Sequence, residues 1–155
     1  MTQTVRYPYS LNFSLGSIFL MVVLMFLLFS NAGGPIGIIT FAVYGFFSLV
    51  FLSTMALLVV KRLIPALKGD IALELDEDGI SDYIRDISIN WVDIEDICLN
   101  RGRSASVLQI DLKWESEYGK KIGIPLGWVK GKDDEIYETV MACFEHSVSN
   151  PAGEN

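Results

Sequence analysis

From position 7 to position 60 the chain carries no charged side chain: 54 consecutive residues rich in Leu, Val, Phe and Ile, interrupted only by Ser30-Asn31-Ala32-Gly33-Gly34-Pro35. A hydrocarbon core takes about 20 apolar residues of helix, so a run of this length with a turn in its middle predicts two membrane-crossing helices, near residues 11–29 and 36–60. Lipid offers the backbone no hydrogen-bond partners. Only helices or closed barrels span it, and neither arm alternates as a barrel strand does. The second arm exceeds a hydrocarbon thickness of about 30 Å, which implies tilt or an end that projects into water. Arg6 and the small residues after the first arm also fit a cleaved signal peptide. The arm is longer than the roughly 7–15 residues of a signal's apolar region, which favours anchoring.

Flanking charge orients such a hairpin. Arg6 precedes the first arm and Lys61, Arg62 and Lys68 follow the second, whereas the connecting turn is uncharged. Cationic flanks stay on the cytoplasmic side, which places both termini there and the turn on the far face. Ala42, Gly45 and Ser48 recur every three positions in the second arm. They form a small-residue stripe suited to close approach of the first helix or of a second copy in a homo-oligomer. No acid or base lies inside either arm, which argues against coupled ion transport.

The rest of the chain has the opposite character. Residues 1–68 carry a net charge of +4 and residues 69–155 a net charge of −11. So acidic a domain repels nucleic acid and anionic lipid, and any charge-matched partner is a protein with a basic surface. Pro65 and Gly69 mark the boundary, giving a segment 1–68 with the two helices and a short juxtamembrane linker, a cytoplasmic domain 69–148, and a tail 149–155.

Within the domain the apolar period drops to two. Ile71, Leu73 and Leu75 form one arm of a hairpin that turns through Asp76-Glu77-Asp78-Gly79 and returns over residues 80–84. Ile87, Ile89 and Trp91 continue the alternation. A one-residue slip between Ile94 and Ile97 predicts a bulge. Leu108, Ile110, Leu112 and Trp114 make the cleanest strand, and Ile122, Ile124 and Leu126 the last. After Gly131, Asp133 or Asp134 is a candidate N-cap for a helix whose stripe is Ile136, Val140, Cys143, Phe144 and Val148.

No residue pattern here assembles a catalytic, cofactor or metal site. Cys98 and Cys143 read as small buried hydrophobes, and His146 as a cation near a helix C-terminus. The acids of the first turn do not fit a calcium loop, since Glu74 and Arg85 would occupy positions that require Asp and Glu. The candidate partner-binding residues are therefore Asp76, Glu77 and Asp78, with Trp128, off the strand pattern, as either an exposed anchor or a residue that closes the core; Trp91 and Trp114 read as core. Arg101 and Arg103, in the turn 100–104, are a candidate anion contact.

Two membrane helices, the hairpin Ile71-Ala72-Leu73-Glu74-Leu75-Asp76-Glu77-Asp78-Gly79-Ile80, the segment Trp91-Val92-Asp93-Ile94-Glu95-Asp96-Ile97, the strand Lys121-Ile122-Gly123-Ile124-Pro125-Leu126 and a final helix follow in an order that resembles bacterial membrane proteins with a pleckstrin-homology-like domain. The resemblance implies an α+β domain, a bent antiparallel sheet capped by a C-terminal helix, held beneath the inner membrane as a non-catalytic protein-interaction module. It also implies that the acidic turn 76–79 stands where phosphoinositide-binding relatives carry basic residues, which disfavours such binding. An immunity protein that neutralises a delivered toxin, or a small enzyme or transporter with a site between protomers, are the alternatives.

Overall fold

The computed structural model describes residues 4–30, 37–103 and 105–149, which form two compact units. One is the helical segment Leu11–Lys68; the other joins residues 1–10 to residues 69–155. The connecting turn 31–35 and the tail beyond Ser149 lie outside the described residues.

The helical unit contains α1 (Leu11–Ser30) and α2 (Ile38–Leu58), both uncharged and both long and apolar enough to cross a membrane. Their apolar side chains are largely exposed. Phe19, Phe26 and Phe41 are each about 70% exposed and Ile38 is 87% exposed. Gly45 has open space where a Cβ would stand, so α1 does not approach α2 closely at that position. The helix also does not break at Pro65. It widens into a π turn over Val59–Leu63, where the Ile64 N–H reaches the Val59 carbonyl, and continues as α3 (Ile64–Lys68). A proline ring clashes with the carbonyl four residues back, and the wider turn relieves that clash. Gly69, at φ +73°, then ends the helix in the left-handed conformation open to glycine.

Among the described residues, seven strands and one helix make the second unit. A four-stranded antiparallel sheet runs β1 (Val5–Pro8), β2 (Ile71–Leu75), β3 (Gly79–Asp82), β4 (Ile87–Asn90). After a 3-10 turn at Trp91–Asp93, a three-stranded antiparallel sheet follows: β5 (Ile94–Arg101), β6 (Ser106–Ser116) and β7 (Gly119–Pro125). A second 3-10 turn, Leu126–Trp128, leads to α4 (Asp133–Ser149). The core is Leu73, Leu75, Ile80, Leu108, Ile110, Ile124, Ile136 and Val140, all at most 1% exposed. The expected bulge occurs between Ile94 and Asp96.

β1 departs from the sequence reading, which assigns everything before residue 69 to the membrane segment. Val5, Arg6 and Tyr7 pair in register with Leu75, Glu74 and Leu73. The Tyr9 N–H donates to the Asp70 carbonyl at 3.1 Å, and Tyr9 itself is buried. On its other side this segment meets the second 3-10 turn: the Ser10 N–H donates to the Trp128 carbonyl at 2.7 Å and the Lys130 N–H to the Pro8 carbonyl at 2.8 Å. The helical segment is thus an insertion between two adjacent strands of one sheet.

Trp114 is the second departure. It continues the alternation of Leu108, Ile110 and Leu112, yet it is 74% exposed. The ladder explains this: between the pairs Asp111 with Lys121 and Ser116 with Gly119, β6 carries more residues than β7, so facing slips after Leu112. Cys98, on β5, is exposed rather than buried; on α4 Val148 is exposed and Cys143 and Phe144 are only half-buried, because the helix stripe narrows toward its end. Phe144 does reach the core, with its ring 6.4 Å from that of Trp91. Asp133 and Asp134 lie in the first turn of α4 rather than capping it, since the Lys132 carbonyl already accepts from the Ile136 N–H.

Candidate functional site

The acidic turn divides into a structural residue and two presented ones. Asp76 Oδ1 accepts the N–H groups of Asp78 at 3.0 Å and Gly79 at 2.8 Å, an Asx turn that holds the β2–β3 connection. The Asp76 carbonyl also accepts from Trp91 Nε1 at 2.9 Å. Gly79 is needed because a Cβ there would fall on the Ile89 carbonyl oxygen of β4. Glu77 and Asp78 project as exposed carboxylates. With β1 in place, this turn joins the second and third strands; the first connection is the helical insertion, so the comparison with a first hairpin turn is offset by one strand.

Trp128 is half-buried, and its carbonyl holds Ser10, so it is less an exposed anchor than part of the closure. Arg101 does not stand open to an anion: its guanidinium meets Asp134 of α4 at 2.6 Å, both groups being largely exposed. Arg103 is exposed in the loop after β5. The structure does not bring Trp128 and the arginines together with the acidic turn by any contact among those described. Burial pushes the Cys143 thiol up from its ordinary value, away from the depressed range of a reactive cysteine. Among the described residues no three His, Cys, Asp or Glu side chains group as metal ligands.

A polar cluster ties β1 down. Glu74, only 9% exposed, takes Arg6 Nε on one carboxylate oxygen at 2.7 Å and the Tyr83 hydroxyl on the other at 2.7 Å. The Tyr83 hydroxyl, followed by Arg6, holds the Glu74 carboxyl below the usual carboxylate range, and the same bond raises the Tyr83 phenol. Glu74, Ser81 and Ser88 are directly opposed on successive strands, with Ser81 and Ser88 hydroxyls 3.0 Å apart. These groups satisfy one another within the fold, and their role is to clasp strands.

A concave feature of the domain lies elsewhere. A groove of about 330 Å³ runs between β4 and the distal part of the β6–β7 hairpin. Ile89, Leu112 and Ile122 form its apolar floor, all buried. Trp114 and the half-exposed Tyr118 form its walls, and Asp93, Glu115 and Glu117 place carboxylates along it. Glu117 also accepts from the Tyr118 hydroxyl, which raises that phenol above its ordinary value. No Lys or Arg lines the groove, and none of its three acids joins an ion pair among the described residues. Sequence reasoning misses it because Trp114 reads as core; the available signal is the acids that accompany the aromatics through the stretch 114–118. The chain matches no family model, no curated protein and no solved structure.

Proposed function

We propose that the protein is a non-catalytic, membrane-anchored interaction module whose acidic domain binds a protein with a basic surface at the cytoplasmic face of the bacterial inner membrane. One observation carries the anchoring: the helical segment leaves the domain after Ser10 and returns at Gly69, while Tyr9 and Asp70 are hydrogen-bonded neighbours at 3.1 Å. Two helices that start and finish at one point of one domain cross a bilayer and come back. Both flanks then lie on one side, in keeping with Arg6, Lys61, Arg62 and Lys68. The order of four strands, three strands and a closing helix supports the pleckstrin-homology-like reading, with the membrane hairpin inserted between the first two strands.

The charge of the domain gives the partner its chemistry. An acidic field attracts cationic surfaces and is screened by salt, with a Debye length of about 10 Å at 0.1 M and about 3 Å at 1 M. Affinity capture from gently solubilised membranes tests the reading. A basic protein that co-purifies at about 0.1 M salt and is released toward about 1 M supports it. Substrate turnover by the purified protein, or partner-free binding of the domain to anionic liposomes, overturns it. Single cysteines at Asn31 and Glu154 in a variant lacking Cys98 and Cys143 test the topology: on intact spheroplasts an impermeant thiol reagent is expected to label position 31 and not 154.

A further inference from the structure

We propose that the groove between β4 and the β6–β7 hairpin is the docking site, and that it takes an extended, lysine- or arginine-bearing segment of the partner protein. This deepens the reading of the domain as a module for basic partners, and rests on it. Three independent features of the groove select that occupant.

The first is the placement of Trp114. An indole 74% exposed on a strand whose Leu108, Ile110 and Leu112 are all buried leaves a large apolar face in water. With Tyr118 on the same hairpin it offers two aromatic faces to a groove that has room for one or two long side chains. Aromatic faces of this kind attract ammonium and guanidinium groups, tryptophan most strongly.

Charge is the second. Asp93, Glu115 and Glu117 line the groove and no cation does. Lys113 and Lys121, the basic residues adjacent to it in sequence, have partners of their own: Lys113 Nζ donates to the Val92 carbonyl at 2.8 Å and Lys121 Nζ to Asp111 Oδ2 at 2.9 Å. Cationic side chains entering the groove meet carboxylates that no ion pair among the described residues has already neutralised. An acidic or neutral segment gains nothing comparable.

Main-chain geometry is the third. β4 is the last strand of its sheet, bonded to β3 alone. β5 begins at Ile94, opposite Leu112, so β6 beyond Leu112 has no β5 partner. The groove therefore runs along strand edges, where an extended segment can add its own backbone hydrogen bonds while alternate side chains point into the groove. A folded basic surface or a lipid headgroup makes no use of such an edge.

The test uses the full chain in neutral detergent micelles. The probe is an octapeptide alternating Lys with Thr and carrying a central photo-crosslinker, with the same peptide bearing Glu in place of Lys as control. Expected results are saturable binding of the lysine peptide, cross-links confined to residues 88–93 and 112–118, and at least roughly tenfold weaker binding by Trp114→Ala and by Glu115→Gln/Glu117→Gln. Glu138→Gln, on the exposed side of α4, is expected to bind as the native chain does. Urea unfolding of each variant verifies that the domain is folded. If the lysine peptide binds but cross-links elsewhere and ignores the groove substitutions, the groove is refuted while the basic-partner reading stands. Equal binding of both peptides, or binding of anionic vesicles alone, overturns both. No binding of the lysine peptide at millimolar concentration overturns the groove.

Discussion

Tyr9→Ala is the sharpest probe of the fold, because it asks whether the residues just before α1 belong to the sheet domain. Tyr9 is 7% exposed, makes an isolated bridge to Val129, and donates its hydroxyl to the Tyr83 carbonyl at 3.4 Å. Truncating a buried aromatic to Ala costs about 3–5 kcal/mol, through lost transfer free energy and the cavity left behind. The hydroxyl contributes little at 3.4 Å, so Tyr9→Phe is expected to cost no more than about 1 kcal/mol. Trp91, Trp114 and Trp128 all lie in the sheet domain, so tryptophan fluorescence follows its unfolding and ignores the helices. With an m value of about 1.5 kcal/mol/M in urea, a loss of about 3 kcal/mol lowers the midpoint by about 2 M. A shift below about 0.3 M for Tyr9→Ala would refute the docking of the N-terminal segment.

Ile110→Ala, at a fully buried position flanked in register by Ile97 and Ile122, is expected to cost about 2–5 kcal/mol in the same urea assay. Gly79→Ala forces a Cβ onto the β4 backbone and is expected to destabilise by about 1–3 kcal/mol, with no rescue from side-chain rearrangement, since the obstacle is a carbonyl. Glu74 has a lowered carboxyl pKa in the fold, so its contribution is fully present above the unfolded value of about 4.3 and is lost as pH falls through the lower folded value. Glu74→Gln is therefore expected to flatten the acid limb of the urea midpoint measured against pH below about 4.5, and an unchanged limb would exclude Glu74 as a source of acid sensitivity.

Most of the architecture is legible in the sequence because it rests on local periodicity. Fifty-four uncharged residues leave few alternatives to a helical pair, and Leu108, Ile110 and Leu112 alternate so regularly that their strand and its inward face follow directly. What escapes depends on pairings that sequence does not display. β1 is four residues long, contains Arg6 and ends in Pro8, and its partner β2 lies beyond the whole helical insertion; only the alternation of Val5, Tyr7 and Tyr9 hints at it. Trp114 keeps the right spacing but loses its place where the β6–β7 ladder slips, and the aromatic groove is hidden with it. Asp76 looks like one of three equivalent acids, whereas its carboxylate is consumed by the turn and only Glu77 and Asp78 are presented.

The insertion also dictates how the sheet domain has to be isolated. Cutting at Gly69, the boundary suggested by composition, discards β1, strips Arg6 from Glu74 and leaves β2 as a bare edge. Unpaired edges recruit other strands, so a fragment of residues 69–149 is expected to aggregate or to unfold at low urea. A chain in which residues 4–10 are joined through a few glycines to residues 69–149 keeps β1. The join is short because Tyr9 and Asp70 already share a hydrogen bond at 3.1 Å. Size-exclusion chromatography and urea unfolding of the two chains side by side decide the matter. The joined chain is expected to be monomeric and to unfold cooperatively, and the cut chain is not. Equal behaviour would mean that β1 adds nothing to the domain, and with it would go the argument that the helical hairpin starts and ends at one point of the sheet.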